Sequence, residues 1–426
     1  MQLLTFDAVS ATGGNIGAAV PQRNHMADQT LAKYLNELRI LTMLRMQGPA
    51  SRADIARRLA LTPATITRLI SNLAQQELVS EVRDGISNPA AREPGRPGVS
   101  VAISPNGAYF LGAEIGVGVL RFSLIDLTAT VVHSSEILVA KTISPVEAVK
   151  AIVDHLTMLE HDIRFHKRIR GAGVTVPGLV TSEGFILNLP ILGWRNINLR
   201  EMLGSSLSLP CFVENNANAA AFGSVYTQPS LPSICTIFLK LGTGCGGAAI
   251  VNGRLLRGAN GTAGEFGHLR MTEHGPHCSC GQDGCLESWV NLGALARAYH
   301  GRDDLQDPEY AALPADVVAA AENGDAAAGA AMDHIAHYLG LGIVSLVNIF
   351  NPTTIMLGGV MRPVLEKRLE AIQSRVAEMI VPGTTVPDVR LSLLGTFECA
   401  TGVATIAHHH AFDISTVELS QPALRP

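Results

Sequence analysis

The sequence predicts an α/β body made of two similar halves, preceded by a small module of three helices and a two-stranded ribbon. Strand-like apolar stretches alternate with helical ones from residue 107 onward, and a second such set starts near residue 234. Between residues 31 and 73, apolar residues instead recur every three to four positions, as in short amphipathic helices. Apolar residues make up 47% of the 426 positions and charged residues only 16%, so the chain can bury more than one core.

The N-terminal module has clear start and stop signals. A helical pattern beginning at about residue 31 ends at Gly48-Pro49. Ser51 is placed to cap a second helix, and Thr62-Pro63 to start a third. Strands at 78–79 and 99–103 then enclose a loop rich in Gly, Pro and Arg.

Three short helices followed by a ribbon form the plan of a winged helix-turn-helix, whose third helix enters the major groove of DNA. Residues 31–100 carry ten Lys or Arg against six Asp or Glu, whereas residues 101–426 carry 21 against 29. A basic module on an acidic body favours binding to double-stranded DNA over the alternative, a three-helix protein-interaction module. The candidate DNA-contacting residues are Arg52, Thr62, Thr65, Thr67 and Arg68 on the helices, and Arg92 and Arg96 at the ribbon tip.

The body is predicted to hold a cleft between its halves, because ligands of α/β folds bind at strand ends and helix N-termini. In the first half we expect strands at 109–116, 120–125, 130–138 and 171–176 and a helix at 145–164; in the second, strands at 234–239 and 247–251 joined by a Gly-rich turn.

Five segments are expected along the chain: a poorly ordered stretch at 1–30, the DNA-binding module at 31–104, the two lobes at 105–220 and 221–412, and a tail at 413–426. The N-terminal residues lack the layout of a secretory signal, and no run of about 18 apolar residues occurs. We therefore expect a cytoplasmic protein without a membrane span.

A cysteine-rich loop gives the densest chemical signal. Cys278, Cys280 and Cys285 lie within eight residues, which in a chain without an export signal favours metal binding over disulfides. With His268 they would form a closed tetrahedral set for a structural Zn²⁺. His274 and His277 are rival fourth ligands, and three free cysteines are the alternative to any metal.

Four stretches carry a resemblance to a known family: Leu241–Gly247 (LGTGCGG), Asn252–Gly258 (NGRLLRG), Gly264–His268 (GEFGH) and Cys278–Glu287 (CSCGQDGCLE). They resemble the ROK family (repressors, open reading frames and sugar kinases), in its branch of transcriptional regulators, and the resemblance extends from about residue 35 to 410. It implies a two-lobed sugar-kinase fold, of the actin-like ATPase and ribonuclease H-like type, behind the winged helix-turn-helix. It also selects His268 as the fourth zinc ligand.

The resemblance further implies a sugar pocket. The family's hydroxyl-binding positions correspond here to Asn188, Asn215, Asn216, Glu265, His268 and Glu287. Carboxylates and amides suit this role because their paired acceptors and donors match neighbouring hydroxyl groups.

Kinase chemistry is expected to be lost. Asn216 stands where the family's kinases carry the aspartate that takes the sugar's proton, and an amide cannot accept that proton. The first phosphate loop, Glu114–Gly118, departs from the kinases' Asp-x-Gly-x-Thr, although Gly242–Gly247 and Leu357–Gly359 are kept.

The resemblance thus implies a homodimeric or homotetrameric repressor of operator DNA whose effector is a monosaccharide or sugar derivative. Three alternatives stay open: an active ATP-dependent sugar kinase with a DNA-binding arm, a regulator controlled by a protein partner, and an activator.

Overall fold

The computed structural model describes residues 25–83, 99–228, 231, 234–302 and 307–412, with the side chains of 25–30, 83 and 307–311 left aside. The expected tail, most of the expected N-terminal segment, and the ribbon-tip arginines Arg92 and Arg96 lie outside these residues.

The N-terminal module, called the head from here on, has the three predicted helices and the two predicted ribbon strands in order, together with a short strand at residues 50–51 that was not predicted. It contains α1 (His25–Gln47), β1 (Ala50–Ser51), α2 (Arg52–Leu59), α3 (Pro63–Gln75), β2 (Val79–Arg83) and β3 (Val99–Ile103). The Ser51 hydroxyl accepts from the Asp54 amide and the Thr62 hydroxyl from the Thr65 amide, so both predicted caps are in place. The three strands form an antiparallel sheet in the order β1-β3-β2.

The first lobe is built on a five-stranded sheet in the order β11-β7-β4-β5-β6. Strands β4, β5 and β6 form an antiparallel meander, and β7 and β11 continue the sheet parallel to β4. The elements of this lobe are β4 (Tyr109–Ile115), β5 (Val119–Asp126), β6 (Val131–Leu138), α4 (Pro145–Glu160), β7 (Ile169–Val176), β8 (Leu179–Val180), β9 (Ile186–Leu189), β10 (Trp194–Ile197), α5 (Leu199–Ser206) and β11 (Cys211–Asn215).

The second lobe repeats the plan with a sheet in the order β14-β13-β12-β15-β16. Here the β12–β13 pair is antiparallel, whereas β15 and β16 run parallel to β12. The remaining elements are α6 (Asn216–Tyr226), β12 (Cys235–Leu241), β13 (Cys245–Val251), β14 (Arg254–Leu255), α7 (Leu286–Val290), α8 (Leu292–His300), α9 (Asp307–Glu322), α10 (Ala326–Phe350), β15 (Thr354–Gly358), α11 (Arg362–Met379), β16 (Asp388–Leu391) and α12 (Glu398–Phe412).

The last helix, α12, returns to the first lobe and packs on β4, β7 and α6. Glycines make this close approach possible. A Cβ at Gly112 would overlap the Ala400 carbonyl oxygen, and one at Gly402 would overlap the carbonyl oxygen of Ala219. Helices α6 and α12 therefore pack closely on each other, with α12 against the first sheet and α6 mainly against strands β12 and β13 of the second.

The head shares a hydrophobic core with the base of the body. Ile40 and Leu69 of the head belong to the same buried cluster as Phe110 and Ala404 of the body. The head is therefore packed onto the body rather than tethered to it by a loop alone.

Helix α10 is long and apolar enough, by length and composition alone, to cross a membrane. Most of its apolar window is buried inside the second lobe, where Ile335, Leu339 and Ile343 are fully enclosed. Such burial is typical of the core helix of a globular domain.

Candidate functional site

Four predicted metal ligands converge in the cysteine-rich loop. The ligand atoms of His268, Cys278, Cys280 and Cys285 all lie within 4.8 Å of one another. The Cys280 and Cys285 sulfurs are 3.7 Å apart, and the Cys278 sulfur is 3.5 Å from His268 Nδ1. Two sulfurs on a tetrahedral Zn²⁺ with bonds of about 2.3 Å would be about 3.8 Å apart. The cluster could therefore hold a metal ion without a large rearrangement.

The local chain explains how these ligands meet. His268 ends a short 3-10 turn after β13, while Cys285 directly precedes α7 and bridges to Arg270. Between them, Gly281 and Gly284 take positive φ values of 86° and 74°, which let the loop reverse tightly. The rival ligand His277 is engaged elsewhere, because its Nδ1 lies 2.9 Å from an Asp283 carboxylate oxygen. His274 does not belong to the converging group of described residues.

A cleft opens beside this cluster, between the two lobes. It is lined by Gly178, Leu179, Val180, Asn215, Asn218, Gly247, Gly261, Thr262, Ala263 and Glu265. Glu265 also connects the cleft to the metal cluster, because one of its carboxylate oxygens lies 3.8 Å from His268 Nε2. His268 thus has Nδ1 beside the cysteine sulfurs and Nε2 beside Glu265 on the cleft side. A single imidazole can therefore contact the metal cluster through Nδ1 and Glu265 through Nε2.

The loop that follows β14 closes one side of the cleft. Arg257 reaches across from the second lobe to the buried Glu214 carboxylate at 2.8 Å. Gly261 lies so close to the turn at 181–182 that a Cβ there would come within 2.7 Å of the Ser182 amide nitrogen. The cleft wall therefore depends on contacts between the lobes.

Two predicted sugar-binding residues have local structural partners. Asn215 caps α6, since its Oδ1 accepts from the amides of Ala217 and Asn218, and its Nδ2 donates to the Gly178 carbonyl at 2.9 Å. Glu287 lies beside the metal cluster, where it accepts from the Ser279 hydroxyl at 2.8 Å and from the Cys245 amide at 2.9 Å. Asn215 still lines the cleft, whereas Glu287 is not among the lining residues.

Asn188 is a predicted sugar-binding residue whose side chain has an unused hydrogen-bond acceptor. It sits on β9 opposite Leu179, which lines the cleft, and its buried Oδ1 has no hydrogen-bond partner. A buried acceptor without a partner is costly, so a ligand donor or water would stabilise it.

Asn216 is buried at the start of α6 and is not among the residues that line the cleft. Its Oδ1 accepts from the Thr175 hydroxyl, and its Nδ2 donates to Glu114 at 3.3 Å. Both ends of the amide are therefore occupied by protein groups.

Ionisable groups gather around Asn216 where the lobes meet. Arg121 lies 3.6 Å from Glu114. Burial, with a contribution from Glu114, raises the pKa of the Glu398 carboxyl to about 7, although nearby Lys240 opposes this rise. Residues of both lobes thus compensate one another's charges around the altered first phosphate loop.

The candidate DNA-contacting residues separate into two groups. Thr62, Thr67 and Arg68 are exposed on α3 or at its cap, and Thr65 is half-buried with its hydroxyl 2.9 Å from that of Thr62. Arg52 has a different position: its guanidinium donates to Glu81 on β2 at 2.8 Å and to the Thr67 carbonyl. Arg52 therefore braces α2 against α3 and the ribbon.

Sequence reasoning missed two members of the site. Asn218 lines the cleft and donates to Glu214 at 2.9 Å, and Arg257 forms the cross-lobe ion pair. Asn218 could have been found, because it lies in the same asparagine-rich stretch as Asn215. Arg257 carries no such local signal, since its partner is 43 positions earlier in the chain.

Comparison with known proteins agrees with this geometry. The xylose repressor of Bacillus spizizenii is 29% identical over 395 residues, covering 91% of this chain and 99% of the repressor. A glucokinase of Halalkalibacterium halodurans is 33% identical, but covers only 59% of this chain. The crystal structure of a ROK family transcriptional regulator, a homolog of the E. coli Mlc protein, superposes with a TM-score of 0.73 at 25% identity, covering 90% of this chain and 97% of that one.

Family models assign both parts of the chain. The MarR family model matches residues 33–84, which cover most of the head, in agreement with its winged helix-turn-helix plan. The ROK family model matches residues 110–410, well over half of the sequence, and the two-lobed fold is that of ROK regulators and sugar kinases. The chain belongs to the ROK family.

Proposed function

We propose that this protein is a sugar-responsive transcriptional repressor that binds operator DNA through its head and is released by a monosaccharide in the cleft between the lobes. The observation that carries the proposal is the union of a winged helix-turn-helix with a ROK body over the full length of named repressors. The glucokinase match covers only 59% of the chain, as expected if the kinases lack the head.

The cleft supports a polyhydroxyl ligand. Asn215, Asn218 and Glu265 line it, and the unsatisfied Asn188 oxygen lies on the strand beside it. Because the repressor relative is named for xylose, D-xylose is the first sugar to test. Glu287 and Asn216 would then act indirectly, by holding the cysteine-rich loop and the start of α6.

We infer that the body does not transfer phosphate. A sugar kinase needs a base for the attacking hydroxyl, and position 216 offers an amide whose two ends are already bonded to Thr175 and Glu114. Glu114 pairs with Arg121. These contacts favour a sensor over the alternative of a kinase with a DNA-binding arm.

Zn²⁺ is the ion we propose for the cysteine cluster. Three sulfurs and one imidazole nitrogen are the donor set that Zn²⁺ prefers in structural sites, and four protein ligands leave no position for a reactive water. His268, Cys278, Cys280 and Cys285 would hold the ion, and its role would be to fix the loop next to Glu265.

DNA recognition is assigned to the exposed face of α3, with Thr62, Thr65, Thr67 and Arg68 toward the major groove. Arg92 and Arg96 of the ribbon tip are proposed to contact the minor groove or phosphates. A homodimer, or a tetramer made of two dimers, would present paired heads to a palindromic operator in the cytoplasm.

The sugar pocket is tested by thermal shift with a panel of pentoses, hexoses and N-acetylhexosamines, led by D-xylose. We expect one sugar to raise the melting temperature of the wild type and Glu265→Ala to abolish that rise. Glu322→Ala, which removes an exposed carboxylate on α9, is the matched control and keeps the response. A retained response in Glu265→Ala would refute the pocket assignment.

Release from DNA is tested on an operator duplex selected by the protein from a random library. The responsive sugar should weaken binding at least tenfold, and a coupled ADP-release assay should detect no turnover. Sugar-dependent turnover above about 1 s⁻¹, an ordinary enzyme rate, would favour the kinase alternative.

A further inference from the structure

Helix α6 has one end in the cleft and the other at the head. Its cap Asn215 and its residue Asn218 line the cleft, and its last residue is Tyr226. An α-helix rises 1.5 Å per residue, so these eleven residues span roughly 16 Å. One rigid element therefore connects the proposed effector pocket with the place where the head is attached.

Tyr226 contacts the head directly. The guanidinium carbon of Arg45, in the last turn of α1, lies 4.0 Å from the centre of the Tyr226 ring. The same guanidinium donates to the Tyr226 carbonyl oxygen at 3.4 Å. A cation over an aromatic face is attracted to it, and the backbone contact ties the attraction to the end of α6.

Tyr226 is in turn held by α12. Its hydroxyl lies 2.8 Å from His408 Nδ1, and His408 Nε2 lies 2.9 Å from the Leu127 carbonyl oxygen. A carbonyl can only accept, so Nε2 carries the proton and donates, and Nδ1 accepts from the tyrosine hydroxyl. The orientation of Tyr226 is thus fixed by two elements of the body.

The surrounding junction is packed without a loose hinge among the described contacts. Thr42 of α1 donates to the Phe412 carbonyl at 3.4 Å, and the Phe110 ring lies 4.9 Å from the His408 ring. Along α6, a Cβ at Gly223 would come within 2.6 Å of the Gly402 Cα on α12. A displacement of α6 at its cleft end therefore reaches Tyr226 together with its α12 neighbours.

We propose that α6 couples the cleft to the head, and that the Arg45–Tyr226 contact is the junction that differs between the DNA-binding and released states. This inference rests on the proposed function. A ligand changes an equilibrium only through its different affinities for the two states. Here the sugar would favour the position of α6 in which Arg45 no longer holds the head in its DNA-binding orientation.

The test compares operator affinity with and without sugar in full-length variants. The duplex is the one selected by the protein, the probe is D-xylose or the sugar that gives the largest thermal shift, and fluorescence anisotropy gives each Kd. For the wild type we expect the sugar to raise Kd at least tenfold. Arg45→Met should reduce this ratio to less than threefold, while the thermal shift caused by the sugar stays within a factor of two of the wild-type shift.

Three further variants serve as controls for the effect of Arg45→Met. Lys33→Met removes the same charge from α1, where Lys33 pairs with Glu37 within the head, and should keep the wild-type ratio. Arg45→Lys keeps a cation over the ring, so the logarithm of its Kd ratio with and without sugar should be at least half of the wild-type value. Tyr226→Phe removes the hydroxyl bond to His408 but keeps the ring, so it should give an intermediate ratio in a protein that still folds.

Two failures can be told apart. If the wild type responds to sugar and both Arg45→Met and Tyr226→Phe keep its full ratio, the coupling route is wrong and the proposed function stands. If the wild type binds the duplex equally well with every sugar of the panel, the proposed function fails and this inference fails with it.

Discussion

Asn216 holds a buried position that a carboxylate would occupy with difficulty. Its amide oxygen accepts a hydrogen bond from the Thr175 hydroxyl while its amide nitrogen donates to Glu114, whereas an ionised carboxylate could only accept. An aspartate here would place two carboxylates within hydrogen-bonding distance of each other, at a residue that is 7% exposed. Asparagine therefore fits this buried position, and under the proposed function it also leaves position 216 without a base.

The burial of Asn216 beside Glu114 makes Asn216→Asp an informative variant. We expect the variant to unfold at a lower temperature, with a loss on the order of 2 kcal/mol, because the new carboxylate is buried beside Glu114. It should not gain kinase turnover, since the altered first loop is still present. Differential scanning calorimetry and the ADP-release assay measure the two effects. A variant as stable as the wild type, with new sugar-dependent ADP release, would contradict both expectations.

Glu398, the first residue of α12, gives a prediction about pH. Its pKa is raised from the ordinary 4.5 to about 7, so the folded state binds the proton more tightly than the unfolded state. The resulting stabilisation is present at pH 4.5 and below, and is lost as the pH rises to about 7. Glu398→Gln, which imitates the protonated form, should therefore become more stable relative to the wild type across this range.

The measurement is the difference in unfolding free energy between Glu398→Gln and the wild type from pH 4.5 to 8. We expect the difference to grow by on the order of 3 kcal/mol and then to level off. Glu322→Gln on the surface serves as the control and should show a constant difference. A flat profile for Glu398→Gln would mean that Lys240 compensates the buried carboxylate fully.

At the residue scale, the sequence identifies chemistry better than it identifies partners. The convergence of the four candidate metal ligands could be predicted because His and Cys side chains in a Gly-rich loop have few other uses. The contact of Arg52 with DNA stays a prediction, and its bond to Glu81, 29 positions further along, is one that no local pattern reveals. Asn215 combines a cap with a place in the cleft wall, and its type and spacing fit either role equally well.

At the scale of elements, the cysteine-rich loop supports the wall of the cleft. Glu287 bonds to Ser279 in the loop and to the Cys245 amide at the start of β13, and Glu265 faces His268. If a metal ion orders the loop, its loss releases the elements that hold Glu265. Metal content, stability and sugar response are therefore expected to change together.

Cys285→Ser tests this dependence. The wild type should contain about one zinc per chain, and the variant should lose the metal, several kcal/mol of stability and its thermal response to sugar. Cys211→Ser, at a cysteine of the first lobe that donates to the Leu209 carbonyl, is the matched control and should keep all three. Mass spectrometry measures the zinc content, and thermal shift measures the stability and the response to sugar. A variant that retains full zinc would show that Cys285 is not a ligand.

Element boundaries were predictable where capping chemistry is local. Ser51 and Thr62 cap α2 and α3 as expected, because a hydroxyl three residues before an amide is a contact within one turn. The helix expected to reach residue 164 ends at Glu160, where the chain turns and Phe165 packs into the first lobe's core beside Tyr109. The end of this helix depends on a tertiary contact, which cannot be predicted from the periodicity of apolar residues in the sequence.

At the scale of the molecule, the head and the two-lobed body were both predictable, but their connection was not. The close approach of α12 to β4 depends on Gly112, which faces Ala400, and its approach to α6 depends on Gly402, which faces Ala219. The two members of each pair are far apart in sequence and meet only in the folded chain. The same return of the chain brings His408 and Phe412 to the head. The body therefore meets the head over a packed surface, as transmission of a signal requires.

If the protein binds its operator as the proposed homodimer, its affinity should depend on the spacing of the operator half-sites. Each α3 would enter a major groove, and rigidly packed heads would reach two grooves on one face of the duplex only when the half-sites are separated by whole helical turns of about 10.5 base pairs. Insertion of about five base pairs between the half-sites turns one groove to the opposite face and should weaken binding at least a hundredfold. Insertion of about ten should restore part of the affinity.

Anisotropy titrations on the three duplexes at one salt concentration measure this effect, with sedimentation analysis of the same samples to count the chains on each DNA. The head–body packing makes the expected loss large, because the shared core of Ile40, Phe110 and Ala404 resists the rotation that a displaced half-site would demand. Arg45→Met should change the same measurement. If Arg45 orients the head, its loss should reduce the ratio between the Kd for the duplex with five inserted base pairs and the Kd for the native duplex. Equal binding to all three spacings by the wild type would mean that each head reads DNA alone.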